Sequence, residues 1–180
     1  DVSIIVIAGA NGELGAKDAE RAASAIADAD VLLLQGEVGV EAARAAAVLA
    51  AASSTKIVFN PAPFNDVAAS ILPLADVVIV NRQEAKQLNS FSPPILITTL
   101  GADGCDVRIG EEITHVDAPL VEVVDPTGAG DAFVGAFSVA FVDTNDPIAA
   151  SLIAVRAGAA AVCKVGAQPS MPRWGDIDSL

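Results

Sequence analysis

Val121-Glu122-Val123-Val124-Asp125-Pro126-Thr127-Gly128-Ala129-Gly130-Asp131-Ala132-Phe133 runs from a β-branched stretch, through a proline and glycine turn, into an apolar segment of helical composition. A strand that feeds a helix through a tight turn is the repeating unit of an α/β fold. Gly128 and Gly130 carry no Cβ, so the backbone can approach a bound group closely. The amides that open the following helix have no partner within it and lie at the positive end of its dipole, which makes the turn a place for an anion. Asp131 falls in the first helical turn, where the dipole alone favours a carboxylate. On these features alone the stretch is a common structural junction as much as a phosphate site.

The same alternation continues on the N-terminal side. Short β-branched runs at residues 2–8, 30–35, 56–60 and 75–81 alternate with stretches of helical composition at 16–29, 40–52, near 66–72 and at 83–88. That pattern predicts a mostly parallel sheet covered by helices. After a Ser/Pro break at 89–94 the strand pattern resumes at 95–99 and its spacing tightens. Residues 104–109, 113–116 and 121–124 read as short strands, an antiparallel addition at one edge of the sheet. Residues 128–142 and 147–162 read as two long helices, the second opened by Pro147 in its first turn. No repeat, low-complexity tract or linker interrupts the pattern, so a single domain over residues 1–180 is expected.

Bulk composition excludes several classes. Of the 180 residues 53% are hydrophobic and 18% charged, yet apolar runs such as Val77-Val78-Ile79-Val80 fall far short of the roughly 20 residues a membrane span needs. A formal net charge of -13, with no basic cluster, argues against nucleic acid and anionic membranes as partners. A phosphorylated ligand must then be held by backbone dipoles and metal ions against a repulsive field. Cys105 and Cys163 form no Cys-x-x-Cys pair, and the single histidine, His115, lies near neither in sequence, so a thiolate-ligated metal is not expected. Both thiols are expected as buried small hydrophobes in a reducing cytoplasm. Gly9-x-x-Gly12-x-x-Gly15 has the wrong spacing for a dinucleotide fingerprint, and no Gly-Lys-Ser/Thr follows any glycine loop. His115 and Trp174 read as ordinary surface or packing residues. The chain opens on Asp1 and its only methionine is Met171, so the natural polypeptide is expected to start further upstream.

The complete heptapeptide at residues 125–131 resembles the signature of the ribokinase-type (pfkB) carbohydrate kinase family. The resemblance extends through Gly9-Ala10-Asn11, Leu33-Leu34-Gln35-Gly36-Glu37, Asn60-Pro61-Ala62-Pro63, Asn81-Arg82-Gln83-Glu84 and Gly166-Ala167-Gln168-Pro169-Ser170. It implies a ribokinase-like three-layer α/β/α fold, its sheet mostly parallel with antiparallel edge strands, and ATP-dependent phosphorylation of a sugar hydroxyl. In the family the last residue of the signature takes the proton of the acceptor hydroxyl, so the resemblance makes Asp131 the catalytic base and Gly128, Ala129 and Gly130 the anion hole. That division suits phosphoryl transfer, which is helped chiefly by alignment and by stabilising the transferring charge.

The resemblance implies further roles. Asn81 and Glu84 match an Asn-x-x-Glu that organises hydrated Mg²⁺ near the nucleotide phosphates; locally, the same pair reads as an N-cap and a first-turn dipole partner. Thr99, Leu100, Gly101, Ala102, Asp103 and Gly104 match a turn that, with Gly130 and Asp131, lines the ATP site; locally they read as a tight turn between strands. Asp125, Thr127, Ala161, Lys164, Gly166 and Ser170 match the surroundings of a monovalent cation, K⁺, held mostly by backbone oxygens, the lysine side chain pointing away. Glu37 matches a carboxylate that, with Asp131, meets the sugar; locally it reads as a solvated loop charge.

Two departures from the family stand out. Its N-terminal region, with a Gly-Gly-x-Gly-Asn sugar motif and a lid, has no counterpart, and a Ser/Pro link replaces a helix expected between Leu88 and Ile95. The nucleotide half of the site is thus nearly complete, while Asp131 and Glu37 represent the sugar half. Residues 166–172 are most similar to ribose-specific members, which implies D-ribose converted to D-ribose 5-phosphate. A nucleoside or deoxysugar acceptor, and a non-catalytic nucleotide-binding module, are the alternatives. A small-molecule sugar and ATP are the implied partners, and the family's lid contacts imply a homodimer of the full-length protein.

Overall fold

A strand covered on both faces needs apolar residues at successive positions, and three such runs build the first strands. In the computed structural model, which describes residues 7–89 and 91–180, β1 (Val31–Gln35) and β2 (Lys56–Asn60) pair in parallel, from Val31 opposite Lys56 to Gln35 opposite Asn60. β2 pairs in parallel with β3 (Val77–Asn81), Val58 opposite Val77 and Phe59 opposite Val78. Asp76 helps to hold this register: its carboxylate accepts from Ile57 N at 2.8 Å and from Lys56 Nζ at 3.1 Å. The chain divides into two units, one through Val78 and one from Ile79, the division falling inside β3.

In the first unit, α3 (Val40–Ala51) buries Ala43, Ala47 and Ala50, a stripe at helical spacing whose small side chains let it lie close to β1 and β2. The helix expected over 16–29 is divided into α1 (Ala16–Arg21) and α2 (Ala23–Ala27). The helical ladder nevertheless continues, with Ala22 N donating to Asp18 O and Ile26 N to Ala22 O; only the turn at Ala22 tightens, its amide shared with Ala19 O at 3.0 Å. Asn65 caps α4 (Asp66–Ile71), its Oδ1 accepting from Val67 N at 3.0 Å. The strand expected at residues 2–8 lies outside the described residues except for Ile7 and Ala8, which are not in a strand.

The second unit opens with α5 (Arg82–Ala85) and an antiparallel meander of β4 (Ile95–Thr99), β5 (Cys105–Ile109) and β6 (Glu112–Val116). Two long helices follow, α6 (Ala129–Thr144) and α7 (Pro147–Val162), then the short α8 (Trp174–Asp178). The turn between α6 and α7 is encoded locally. Asn145 takes the left-handed conformation at φ 51°, Asp146 Oδ1 accepts from Ile148 N at 2.8 Å and Ala149 N at 3.2 Å, and Pro147 follows at the first helical position. α7 packs on α6, β5 and β6 and buries Ala150, Ala154, Ala157 and Ala161 completely. Phe137 and Phe141 stack at 5.5 Å in the core of α6, and burial of a side chain such as Phe137 contributes about 1.5–3 kcal/mol.

The α/β class is as the sequence predicts, with parallel strands first and antiparallel ones after them. Residues 121–124, expected as a strand, are not one. The amides of Val124 and Asp125 both donate to Val162 O, at 2.8 and 3.1 Å, so they bond the end of α7 rather than a neighbouring strand. Cys163 is also a correction: Cys105 is buried, but Cys163 is exposed where α7 ends. Burial pushes the Cys105 thiol up to about 11. Among the described residues no helix is long and apolar enough to cross a membrane.

Candidate active site

The start of α6 is held by a braced turn. Asp125 Oδ1 accepts from Thr127 N at 2.9 Å and its Oδ2 from Gly166 N at 2.8 Å. Hydrogen bonds from the Thr127 hydroxyl, then from the Gly166 and Thr127 amides, hold the Asp125 carboxyl below the usual carboxylate range. Gly128 is the N-cap of α6 in the left-handed region, φ 82°. A Cβ there would stand 3.2 Å from Ala167 Cα and 2.9 Å from Met171 Cε, so the turn accepts glycine alone without adjustment. Ala129 N donates to Pro126 O over a long 3.3 Å. Gly130 differs: apart from its chain neighbours and the backbone of its own helix, nothing lies within 4 Å of where its Cβ would stand. Asp131 is exposed in the first turn of the helix.

Beside this turn lies a cavity of about 300 Å³. Ala129, Gly130 and Phe133 of α6 form one wall, and Val155, Ala159 and Val162 of α7 another. Ala118, Leu120, Val121 and Val123 close it on the side between β6 and α6, and Thr99, Gly101, Ala102 and Gly104 at the β4–β5 turn. No lining residue is charged, so an anion here meets helix dipoles and amides rather than lysine or arginine. The apolar walls were not anticipated from the sequence. A cue was present: Val155, Ala159 and Val162 recur at helical spacing and form a second apolar stripe on α7, next to its buried alanines.

The β4–β5 turn is tied to the end of β3 and the start of α5. Thr99 Oγ1 donates to Val80 O at 3.3 Å, and Arg82 Nη2 pairs with Asp103 Oδ2 at 2.6 Å. Leu100 N donates to Gly104 O at 2.8 Å. Gly104, at φ 87°, sits where a Cβ would come within 2.0 Å of Val116 O. Asn81 and Glu84 form a reciprocal capping box: Asn81 Oδ1 accepts from Gln83 N and Glu84 N, each at 2.9 Å, and Glu84 Oε2 accepts from Asn81 N at 2.9 Å. Burial raises the Glu84 carboxyl, opposed by the hydrogen bonds from Asn81.

Of the positions matched to a monovalent cation, Asp125 draws Thr127 and Gly166 together directly. Lys164 N donates to Ala161 O at 3.2 Å, while its Nζ lies 3.5 Å from Asp176 Oδ2. Buried Ser170 donates its hydroxyl to Ala167 O at 2.7 Å. Among the described residues no cluster of three or more His, Cys, Asp or Glu could hold a metal ion. Glu37 belongs to the first unit and is exposed after β1. The backbone before it is fixed: Gly36 N donates to Ala62 O at 3.1 Å, Asn65 Nδ2 donates to Gly36 O at 2.7 Å, and a Cβ on Gly36 would stand 2.1 Å from Pro63 O. His115 is not idle on the surface, since its Nδ1 lies 2.6 Å from Asp106 Oδ1 and its Nε2 3.4 Å from Asp117 Oδ1.

Known proteins resemble this chain in sequence and fold. The chain is 31% identical to the ribokinase of Lactococcus lactis over 98% of its own length and 62% of that relative. It is 30% identical to the deoxyribokinase of Salmonella typhi, over 94% of itself and 62% of that enzyme. It superposes on the crystal structure of Thermotoga maritima ribokinase with a TM-score of 0.87 at 27% identity, covering 98% of this chain and 64% of that one. The chain thus spans a little over three-fifths of the length of these relatives. A family model for pfkB carbohydrate kinases matches residues 1–174, the braced glycine turn included, and the chain belongs to that family.

Proposed function

We propose that this chain carries the nucleotide side of an ATP-dependent sugar kinase that converts D-ribose to D-ribose 5-phosphate, within a single kinase domain. The observation that carries the proposal is that one apolar cavity and the N-terminus of a long helix share Ala129 and Gly130. The cavity suits the base of ATP. The open space at Gly130, not required by internal packing, lets a phosphate approach the helix amides. Asp131 accepts the proton of the sugar hydroxyl as its oxygen bonds to the terminal phosphorus of ATP and the bond to the departing ADP breaks. The amides of Gly128, Ala129 and Gly130 stabilise the charge on the transferring group. Asp131 also orients the sugar, and Glu37 is assigned to the sugar by the family resemblance alone.

The donor set fits the implied ions. Glu84 uses Oε2 in its capping box, leaving its other oxygen for the waters of Mg²⁺, with Asn81 beside it. Mg²⁺, when bound, neutralises phosphate charge. Asp125, Thr127, Ala161, Lys164, Gly166 and Ser170 offer main-chain carbonyls suited to K⁺, with the Asp125 carboxylate bracing the turn. Thr99 to Gly104 would frame the nucleotide. Free cysteines fit a cytoplasmic setting.

The test is ATP- and Mg²⁺-dependent phosphorylation of D-ribose by the natural gene product. Asp131→Asn should lower turnover by about 10²–10⁴ while calorimetric ATP binding persists; near-normal turnover would eliminate the base assignment. The comparable similarity to a deoxyribokinase favours a second reading, a deoxysugar acceptor. Faster turnover of 2-deoxyribose than of ribose would select it.

A further inference from the structure

We propose that Arg82 and Asp103 are positioning residues of the donor site, their ion pair latching the β4–β5 turn that lines the cavity to the Asn81–Glu84 capping box. The proposal rests on the donor-site reading given above. Gly101, Ala102 and Gly104 of the turn line the cavity, whereas Asp103 does not. Its carboxylate instead meets Arg82 Nη2 at 2.6 Å. Arg82 stands between Asn81 and Glu84 in sequence and opens α5, so the pair joins the segment assigned to the nucleotide with the one assigned to Mg²⁺.

The two ends of the turn are held unequally. At Gly104, φ 87°, a Cβ would stand 2.0 Å from Val116 O, so this end is packed against β6. At Gly101, φ 67°, nothing lies within 4 Å of a Cβ beyond the chain neighbours and the backbone of the turn itself. Among the described residues no other side-chain hydrogen bond or ion pair ties residues 100–104 to α5. Folding alone does not account for the pair, because its side chains are 59% and 69% exposed and an ion pair in water adds little to stability. Its place in the site gives it a use. A turn held ready for ATP binds more tightly than one that must first be ordered, since apparent affinity falls with the fraction of competent conformers.

The test is steady-state phosphorylation and calorimetric ATP binding by the natural gene product and by its Arg82→Ala, Asp103→Ala and doubly substituted forms. Each single change should raise the KM and Kd for ATP by about two- to fivefold, the range of an exposed ion pair, while kcat and the KM for the sugar hold. The double change should do no more than either single one. Exchanging the residues, Arg82→Asp with Asp103→Arg, should recover part of the loss. If Arg82 instead grips a phosphate directly, Arg82→Ala weakens ATP while Asp103→Ala, which frees the guanidinium, leaves it unchanged or tighter; that result overturns the latch. An unchanged ATP affinity in both variants, or a fall in kcat with KM intact, overturns it too. A parent protein that binds no ATP removes the donor site itself and the latch with it, a failure distinct from the others.

Discussion

Replacing Gly128 and Gly130 separately by alanine should move stability and nucleotide binding in opposite directions, although the two residues share one turn. Gly128 has φ 82°, a conformation that costs an alanine about 1–2 kcal/mol. Its new Cβ would stand 2.9 Å from Met171 Cε, 3.2 Å from Ala167 Cα and 3.4 Å from Ala167 O. The methionine methyl can swing aside. The Ala167 backbone cannot easily do so, because Ser170 donates to its carbonyl from both N, at 3.2 Å, and Oγ, at 2.7 Å. Shifting it adds about 1 kcal/mol, for a total loss of about 2–3 kcal/mol. With a urea slope of about 2 kcal/mol/M, the unfolding midpoint should fall by about 1–1.5 M. Gly130 lies in the first turn of α6 with no positive φ, and a Cβ there would meet nothing within 4 Å beyond its chain neighbours and its own helix backbone. Alanine there should raise stability by about 0.5–1 kcal/mol through the unfolded chain. Its methyl would occupy the space a phosphate needs, weakening ATP at least about tenfold, or about 1.4 kcal/mol. Urea unfolding followed by circular dichroism, and calorimetric titration with ATP, measure both effects. An unchanged midpoint for Gly128→Ala would refute the steric reasoning, and an unchanged ATP affinity for Gly130→Ala would remove the phosphate from this turn.

Asn81→Ala removes the acceptor for Gln83 N and Glu84 N and should lower stability by about 1 kcal/mol, while Asn81→Asp keeps the cap; scanning calorimetry would contradict this if both variants melt like the parent. Gly104→Ala should cost at least about 3 kcal/mol, since its Cβ would stand 2.0 Å from Val116 O at φ 87°; a urea midpoint equal to the parent's would be incompatible with that contact. His115 is raised above 6.5 by its hydrogen bond to Asp106, then by the charges of Asp106 and Asp117. A raised folded value means that its contribution is fully present below the unfolded value and lost as pH rises through the folded one. The stability difference between the parent and His115→Asn should therefore shrink from about pH 6.5 upward, and a difference constant with pH would count against the ion pair.

Features whose partners are near in sequence were legible before the structure. Pro147 marks the start of α7, and the glycine turn marks the start of α6, because caps and turns act over a few residues. The strand read at 121–124 failed for a different reason: β-branched composition reports that side chains are apolar, not what covers them. Val121 and Val123 line the cavity, and the amides of Val124 and Asp125 turn to Val162 O instead of a sheet. The bracing of the site is equally non-local, Asp125 reaching Gly166 across 41 residues and Arg82 reaching Asp103 across 21. The overlooked cue lay within α7. Beside the fully buried Ala150, Ala154, Ala157 and Ala161 runs the stripe of Val155, Ala159 and Val162. Burial of one face against the protein explains one stripe; a second demands another apolar neighbour, because leaving it in water forfeits about 25 cal/mol per Å². In α7 the second stripe finds that neighbour within the protein: Val155 and Ala159 are buried and line the cavity together with Phe133 of α6, and only Val162 is left partly open.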